Sequence, residues 1–297
     1  MFYKDTAGSM DDTLFANKGL VARRERYTDQ AGVFQMKGRL KSDIFSMNRY
    51  MLPQVNLQIV LTRANANFCL MGDANIHAKY KDLRIDITEA ALQIRRVKVS
   101  QSVILQHAMM LEKTAAKYPV RRVIMRCLNT PYMAQSFSLS GIHRGIMPSR
   151  VVVAFIDNAA FSGDITRNPF KFINLNIKSL KLKMASVSLP YSDGLTVDYQ
   201  QNRYMQAYDA MSQNLGNISN DISYKEFGNG YTVYPFDLTP DLCDNMNYNL
   251  LRDGALELEC VMAKPYDQAF QTLFYLQFEN CVEVTKERGV QFHFSIV

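Results

Sequence analysis

The side chains able to do chemistry are few and scattered. The four histidines, His77, His107, His143 and His293, never fall at a spacing that would set two imidazoles on one metal ion. His107 is expected on a helix beside Ala108, facing solvent rather than acting as a base. Asp237, Asp241 and Asp244 lie within eight residues around Pro240 and could offer oxygens to a hard cation. Asp and Pro also mark turns, and a turn closing the strand at Tyr231–Phe236 is the expectation here. Glu257 and Glu259 stand two apart and so share one face of a strand. Paired-carboxylate chemistry needs a cleft and a partner that the surrounding sequence does not signal, so both are expected on a solvated face. No HExxH, GxSxG, GxxxxGK[ST] or GxGxxG pattern occurs, and Gly228-Asn229-Gly230 lacks a third glycine. No residue is therefore assigned a catalytic, cofactor-binding or metal-binding role, and no enzymatic activity is expected.

The remaining composition narrows the class. Five cysteines (69, 127, 243, 260 and 281) are an odd number with no CxxC pair, which fits buried thiols in a reducing compartment better than disulfides or zinc. A chain of 297 residues, 47% hydrophobic and 21% charged, can bury a sizeable core and is long enough for two domains. No apolar run approaches the roughly 18 residues of a membrane span. The first twelve residues are polar and acidic, unlike a signal peptide.

The elements that must position these residues are mostly strands. Phe34, Met36, Leu40 and Ile44 alternate with polar residues over 33–45, and Val55, Leu57, Ile59 and Leu61 do the same. Leu83, Ile85 and Ile87, then Leu92 and Ile94, then Val97 and Val99 continue the pattern. Further strands are predicted at 120–128, 134–139, 150–157, 172–184, 231–236, 255–263, 271–284 and 291–297. In 172–184 the apolar phase slips between Ile177 and Leu180, the mark of a β-bulge. One segment breaks the alternation: Ser100–Lys117 places Ile104, Ala108, Leu111 and Ala115 on a helical stripe, with Ser100 as N-cap and Pro119 as stop. A weaker helix fits 199–215. The spacing predicts two strand-rich blocks, 1–99 and 119–297, joined by a helical connector at 100–118.

Net charge is +6, with local clusters at Arg23, Arg24 and Arg26; Arg95, Arg96 and Lys98; Arg121, Arg122 and Arg126; and Lys171, Lys178, Lys181 and Lys183. Such faces permit a polyanion contact. Aromatic residues do not interleave with them as single-strand binding requires, so solvated faces or ion pairs with a neighbouring subunit are expected.

Several ordered stretches resemble one family. They are Phe2-Tyr3-Lys4-Asp5-Thr6-Ala7-Gly8, Gly38-Arg39-Leu40, Leu61-Thr62-Arg63, Phe68–Gly72, Ile94–Val99 and Ala116–Arg122, then Phe155-Ile156-Asp157-Asn158-Ala159-Ala160-Phe161, Asn168-Pro169-Phe170 and Phe236–Asp241. Together they are similar to the hexon-like major capsid proteins of Polinton (Maverick) elements and adintoviruses. The resemblance implies an all-β fold of tandem (double) jelly-rolls, trimeric capsomers, a place in the virion capsid after assembly inside the host cell, and a minor (penton) capsid protein as a further partner. It implies no cofactor. Relatives carry a further stretch upstream of Phe2, so the first jelly-roll (1–99) is expected to be incomplete. A domesticated β-sandwich that binds nucleic acid or a host protein is the alternative, since one fold hosts many functions.

Overall fold

The computed structural model describes residues 3–28, 33–73, 75, 84–130, 133–184, 187–214, 221–239 and 250–292. Two compact units comprise 1–36, 64–83 and 123–278, and 37–63, 84–122 and 279–297. In chain order the elements are α1 (Lys18–Thr28), a 3-10 turn (Asp43–Phe45), α2 (Ala66–Cys69), α3 (Gln101–Lys113), β1 (Ala116–Thr130), β2 (Ser136–Ile146), β3 (Arg150–Asp157), α4 (Asn158–Ser162), β4 (Ile177–Met184), β5 (Val187–Leu189), β6 (Leu195–Thr196), α5 (Met205–Asn214), α6 (Tyr224–Gly228), β7 (Val233–Asp237), β8 (Asp253–Met262), β9 (Phe270–Val284) and β10 (Val290–Phe292).

The strands form two antiparallel sheets, ordered β1-β9-β3-β7 and β2-β8-β4-β5, with β10 added to β9 and β6 to β4. The hydrogen-bonded partners nest: β4 with β5, β3 with β7, β2 with β8 and β1 with β9. This is a long hairpin folded over on itself, the winding of a jelly-roll. The all-β sandwich expected from alternation is therefore present over 116–284.

Alternation builds its core. In β8, Leu256, Leu258, Cys260 and Met262 point inward while Glu257, Glu259 and Val261 point out. In β3, Val151, Val153 and Phe155 do the same from the opposite sheet, and all three are fully buried. Phe155 meets Phe137 of β2, Tyr234 of β7 and Phe270 of β9 edge-on, at centroid distances of 6.4, 6.1 and 6.1 Å. Ala207 and Met211 of α5 and Phe227 of α6 complete this cluster. The phenols of Tyr199 and Tyr234 share a buried 2.6 Å hydrogen bond, and burial pushes both their pKa values upward. The expected slip in β4 appears as a register shift between Ile177 and Ser179 against β8.

The strands expected before residue 100 are corrected. Residues 33–42, 55–61 and 84–99 form no strand, and 43–45 form the 3-10 turn. Alternation makes a segment able to pair, but a ladder also needs a neighbouring strand and a covered face. Here Met36, Leu61, Ile87 and Ile94 stay more than 60% exposed. The connector helix ends at Lys113, not Lys117, because β1 already begins at Ala116; Pro119 lies inside that strand. Ser100 has the extended N-cap backbone, yet its hydroxyl caps no backbone N–H and lies 3.0 Å from the Ser102 hydroxyl.

Candidate functional site

A polar constellation in the larger unit holds the amino-terminal arm. Asn17, fully buried, folds that arm: its Oδ1 accepts from Thr6 N at 3.1 Å and Leu20 N at 3.3 Å, and its Nδ2 donates to Met10 O at 3.0 Å. Asn17 thereby caps α1 and closes the 6–17 loop. Asp12 Oδ1 accepts from the backbone N–H groups of Ala16, Phe15 and Leu14, which hold its carboxyl below the usual range. From α1, Arg23 reaches back to Tyr3 O at 2.5 Å and Asp5 Oδ1 at 2.6 Å. At Gly19 any Cβ would fall 2.2 Å from Lys4 O, so the close approach of arm and helix requires glycine.

Asn168, 2% exposed, is the centre of the attachment. Its Nδ2 donates to Asp5 Oδ2 at 3.0 Å and Met10 O at 3.3 Å, its backbone N–H donates to Asp11 Oδ1 at 2.8 Å, and its Oδ1 accepts from Phe170 N at 2.9 Å. Lys171 pairs with the same Asp11. Tyr231 donates to Asp5 O at 2.8 Å; burial first, then the Asp5 charge, push its phenol up to about 12. Lys4 pairs with Glu226 at 2.8 Å. Met10 is buried beneath Gly230, where an added Cβ would meet its sulfur at 2.5 Å. The stretches around Lys4-Asp5 and Asn168-Pro169-Phe170, more than 150 residues apart, therefore meet in space. In Ile156–Phe161, Asp157 ends β3 and caps α4 by accepting from Ala159 N at 2.7 Å.

This attachment depends on ionised carboxylates. The Lys4 hydrogen bond, ahead of those from Ser223, lowers the Glu226 pKa below 4.5. A depressed carboxyl contributes stability that is complete above its unfolded pKa and is lost as pH falls through the folded value. Acidification from pH 7 to pH 3 should thus raise hydrogen exchange of residues 3–17 ahead of β3 and β9. Equal protection of the arm at both pH values would contradict the attachment.

The other candidate residues resolve as follows. Asp237 Oδ1 accepts from Thr239 N at 2.9 Å and from its hydroxyl, and Asp237 Oδ2 lies 3.3 Å from Arg150 Nη2. Its carboxylate thus belongs to a turn and an ion pair; Asp241 and Asp244 lie outside the described residues. Glu257 accepts from Ser138 Oγ at 2.6 Å and Glu259 pairs with Lys183 across β4 and β8. His143 Nε2 lies 2.7 Å from Ile146 O, its ring against Phe278 at 5.0 Å, while His107 is exposed on α3. His77 and His293 lie outside the described residues. Among the described residues no group of three His, Cys, Asp or Glu side chains could hold a metal ion.

Many of the expected cationic faces are internally paired. Arg24 donates to Thr13 O and Leu14 O, and Arg121 grips Asp43 at 2.7 Å. Lys117 meets Glu283 at 3.1 Å. In the smaller unit Arg95, Arg96 and Lys98 stand exposed beside exposed Ile94, Val97 and Val99, and α3 exposes Ile104, Leu105, Met109 and Met110. The arm attachment carried no sequence signal beyond the resemblance, because its partners are distant in the chain.

No helix among the described residues is long and apolar enough to cross a membrane. No protein-family model matches the chain. An uncharacterized protein of Caenorhabditis elegans, F54H12.2, is 19% identical over 263 residues, covering 82% of this chain; the match spans 62% of that relative's length. Among solved structures, a chain of the Sputnik virophage is similar with a TM-score of 0.40 at 12% identity, covering 62% of this chain and 40% of that one. The mavirus major capsid protein gives a TM-score of 0.34 at 15% identity, covering 62% of this chain and 42% of its own.

Proposed function

We propose that the chain is a structural capsid protein of a virus-like mobile element, similar to those of Polinton elements and adintoviruses, which self-associates into trimeric capsomers of a virion shell. The observation that carries this role is the nested winding of the sandwich, β4·β5 inside β3·β7 inside β2·β8 inside β1·β9. Two further features support it. The ordered stretches resembling major capsid proteins include the residues that seat the amino-terminal arm, Asp5 and Asn168. Of the polar side chains singled out by the sequence, Asp237 serves a turn and an ion pair and Glu259 an ion pair across β4 and β8. In this role 119–297 acts as a jelly-roll entered through the helical segment 100–118, with a penton-type protein as an additional neighbour.

Size-exclusion chromatography with light scattering tests the role. A mass three times 34.0 kDa, or a larger discrete shell, is the expected result. A monomer that binds duplex DNA with a steep salt dependence would overturn it in favour of a nucleic-acid-binding sandwich.

A further inference from the structure

Residues 84–99 form no helix or strand, and every one except Ile85 is exposed. None of them makes a backbone–backbone hydrogen bond among the described residues. Apart from the Ile85 carbonyl, which accepts from Arg63 Nη1 at 2.5 Å, such a row of N–H and C=O groups is a template for another strand. Arg84 and Asp86, two apart, form an ion pair at 3.1 Å, so their side chains lie on one side of the segment as they would in a strand.

The segment complements itself. Run antiparallel to a second copy about Leu92, it sets Ile85 opposite Val99, Ile87 opposite Val97, Ala90 opposite Ile94 and Leu92 opposite Leu92. The same register sets Glu89 opposite Arg95 and Asp86 opposite Lys98. Apolar residues thus meet apolar ones and opposite charges meet. Other registers lose this match. Centring on Ala91 sets Lys98 against Arg84 and Arg95 against Ile87, while centring on Gln93 leaves no opposite-charge pair. Directly opposed residues in an antiparallel ladder are the ones that interact most strongly, favourably for opposite charges and unfavourably for like ones.

We propose that residues 84–100 form an antiparallel strand pair with the same segment of a second copy, about a twofold axis through Leu92. The contact is isologous, so each copy supplies Glu89 to the other's Arg95 and both pairs form at once. Arg95 and Lys98, two of the exposed cations of the smaller unit, find their countercharges here in Glu89 and Asp86, while Arg96 faces Thr88. The pairing does not depend on the capsid role; where trimers form, it joins a protomer of one trimer to a protomer of the next and contributes to larger assemblies.

The test uses the full chain with Leu92→Cys, oxidised mildly and read on a non-reducing gel beside the wild type. Across an antiparallel pair the Cα atoms lie about 4.5–5.5 Å apart, within reach of a disulfide. Thr88→Cys is the control, because its own counterpart would lie eight residues along, roughly 27 Å away. The expected result is at least tenfold more disulfide dimer from Leu92→Cys than from Thr88→Cys or the wild type. Adding Glu89→Arg should cut that dimer about tenfold, since two attractive pairs become repulsive. Mixing that chain with one carrying Leu92→Cys and Arg95→Glu should restore it, because each altered charge then faces its opposite. Equal cross-linking of Leu92→Cys and Thr88→Cys, insensitivity to Glu89→Arg, or no restoration on mixing would overturn the pairing. Any larger assembly through other surfaces leaves these readouts unchanged.

Discussion

Replacing Asp237 with alanine is expected to lower the unfolding free energy by about 3–5 kcal/mol, the usual loss on removing one partner of a buried ion pair. The Arg150 side chain is 8% exposed and that of Asp237 6%, with Nη2 and Oδ2 3.3 Å apart where β3 and β7 pair. Without the carboxylate the guanidinium keeps its charge in a site that water reaches poorly, and the Thr239 N–H and hydroxyl lose their acceptor. Asp237→Asn keeps an acceptor for Thr239 but not the charge, so an intermediate loss is expected. Urea denaturation of the two variants beside the wild type measures this. A loss below about 1 kcal/mol for the alanine variant, the range of exposed pairs, would contradict the burial. Calcium or magnesium added to the wild type should leave the unfolding midpoint in place; a rise of several degrees would return Asp237 to the role of a cation ligand.

Phe155→Ala is expected to cost about 3–5 kcal/mol as well, by a different mechanism. Phe155 is fully buried at the middle of β3, and its ring touches aromatic rings from both sheets. Truncation leaves a cavity bounded by Phe137, Tyr234 and Phe270, each held in its own strand, so the site cannot collapse to fill it. Phe155→Leu should recover more than half of the loss, because most of the volume returns. Thermal unfolding followed by near-ultraviolet circular dichroism reports both the shift and the loosened aromatic packing. A change of under 1 kcal/mol for Phe155→Ala would mean that the two sheets do not pack through this ring.

Much of the sandwich is legible in the sequence, for a physical reason. From Ala116 onward each alternating run has a partner, so the pattern that makes a strand possible coincides with the neighbour that makes it form. Val151, Val153 and Phe155, and Leu256, Leu258 and Cys260, sit on the inward faces as their spacing requires. The phase slip in β4 reads as a bulge for the same reason. Residues 33–45 and 84–99 carry an equally clear alternation without strand partners among the described residues, so periodicity alone over-assigned them. The nested winding was beyond the pattern altogether, since β1 and β9 are more than 130 residues apart.

The same limit governs the sites. Asp237 could be read either as a cation ligand or as a turn residue, and only the position of Arg150, 87 residues away, decides between them. Asp5, Asp11 and Asn168 have no spacing that marks them as partners. Their connection is a folded-state property: a buried amide whose hydrogen-bonding capacity is met by an arm from the other end of the chain.

The proposed capsid role requires a jelly-roll protomer that associates with copies of itself. Electron microscopy of the purified 297-residue chain, with class averages taken from negatively stained particles, tests that most directly. The expected result is a uniform population of threefold particles, alone or arrayed in sheets and shells. Single, separate protomers at every concentration examined would contradict it.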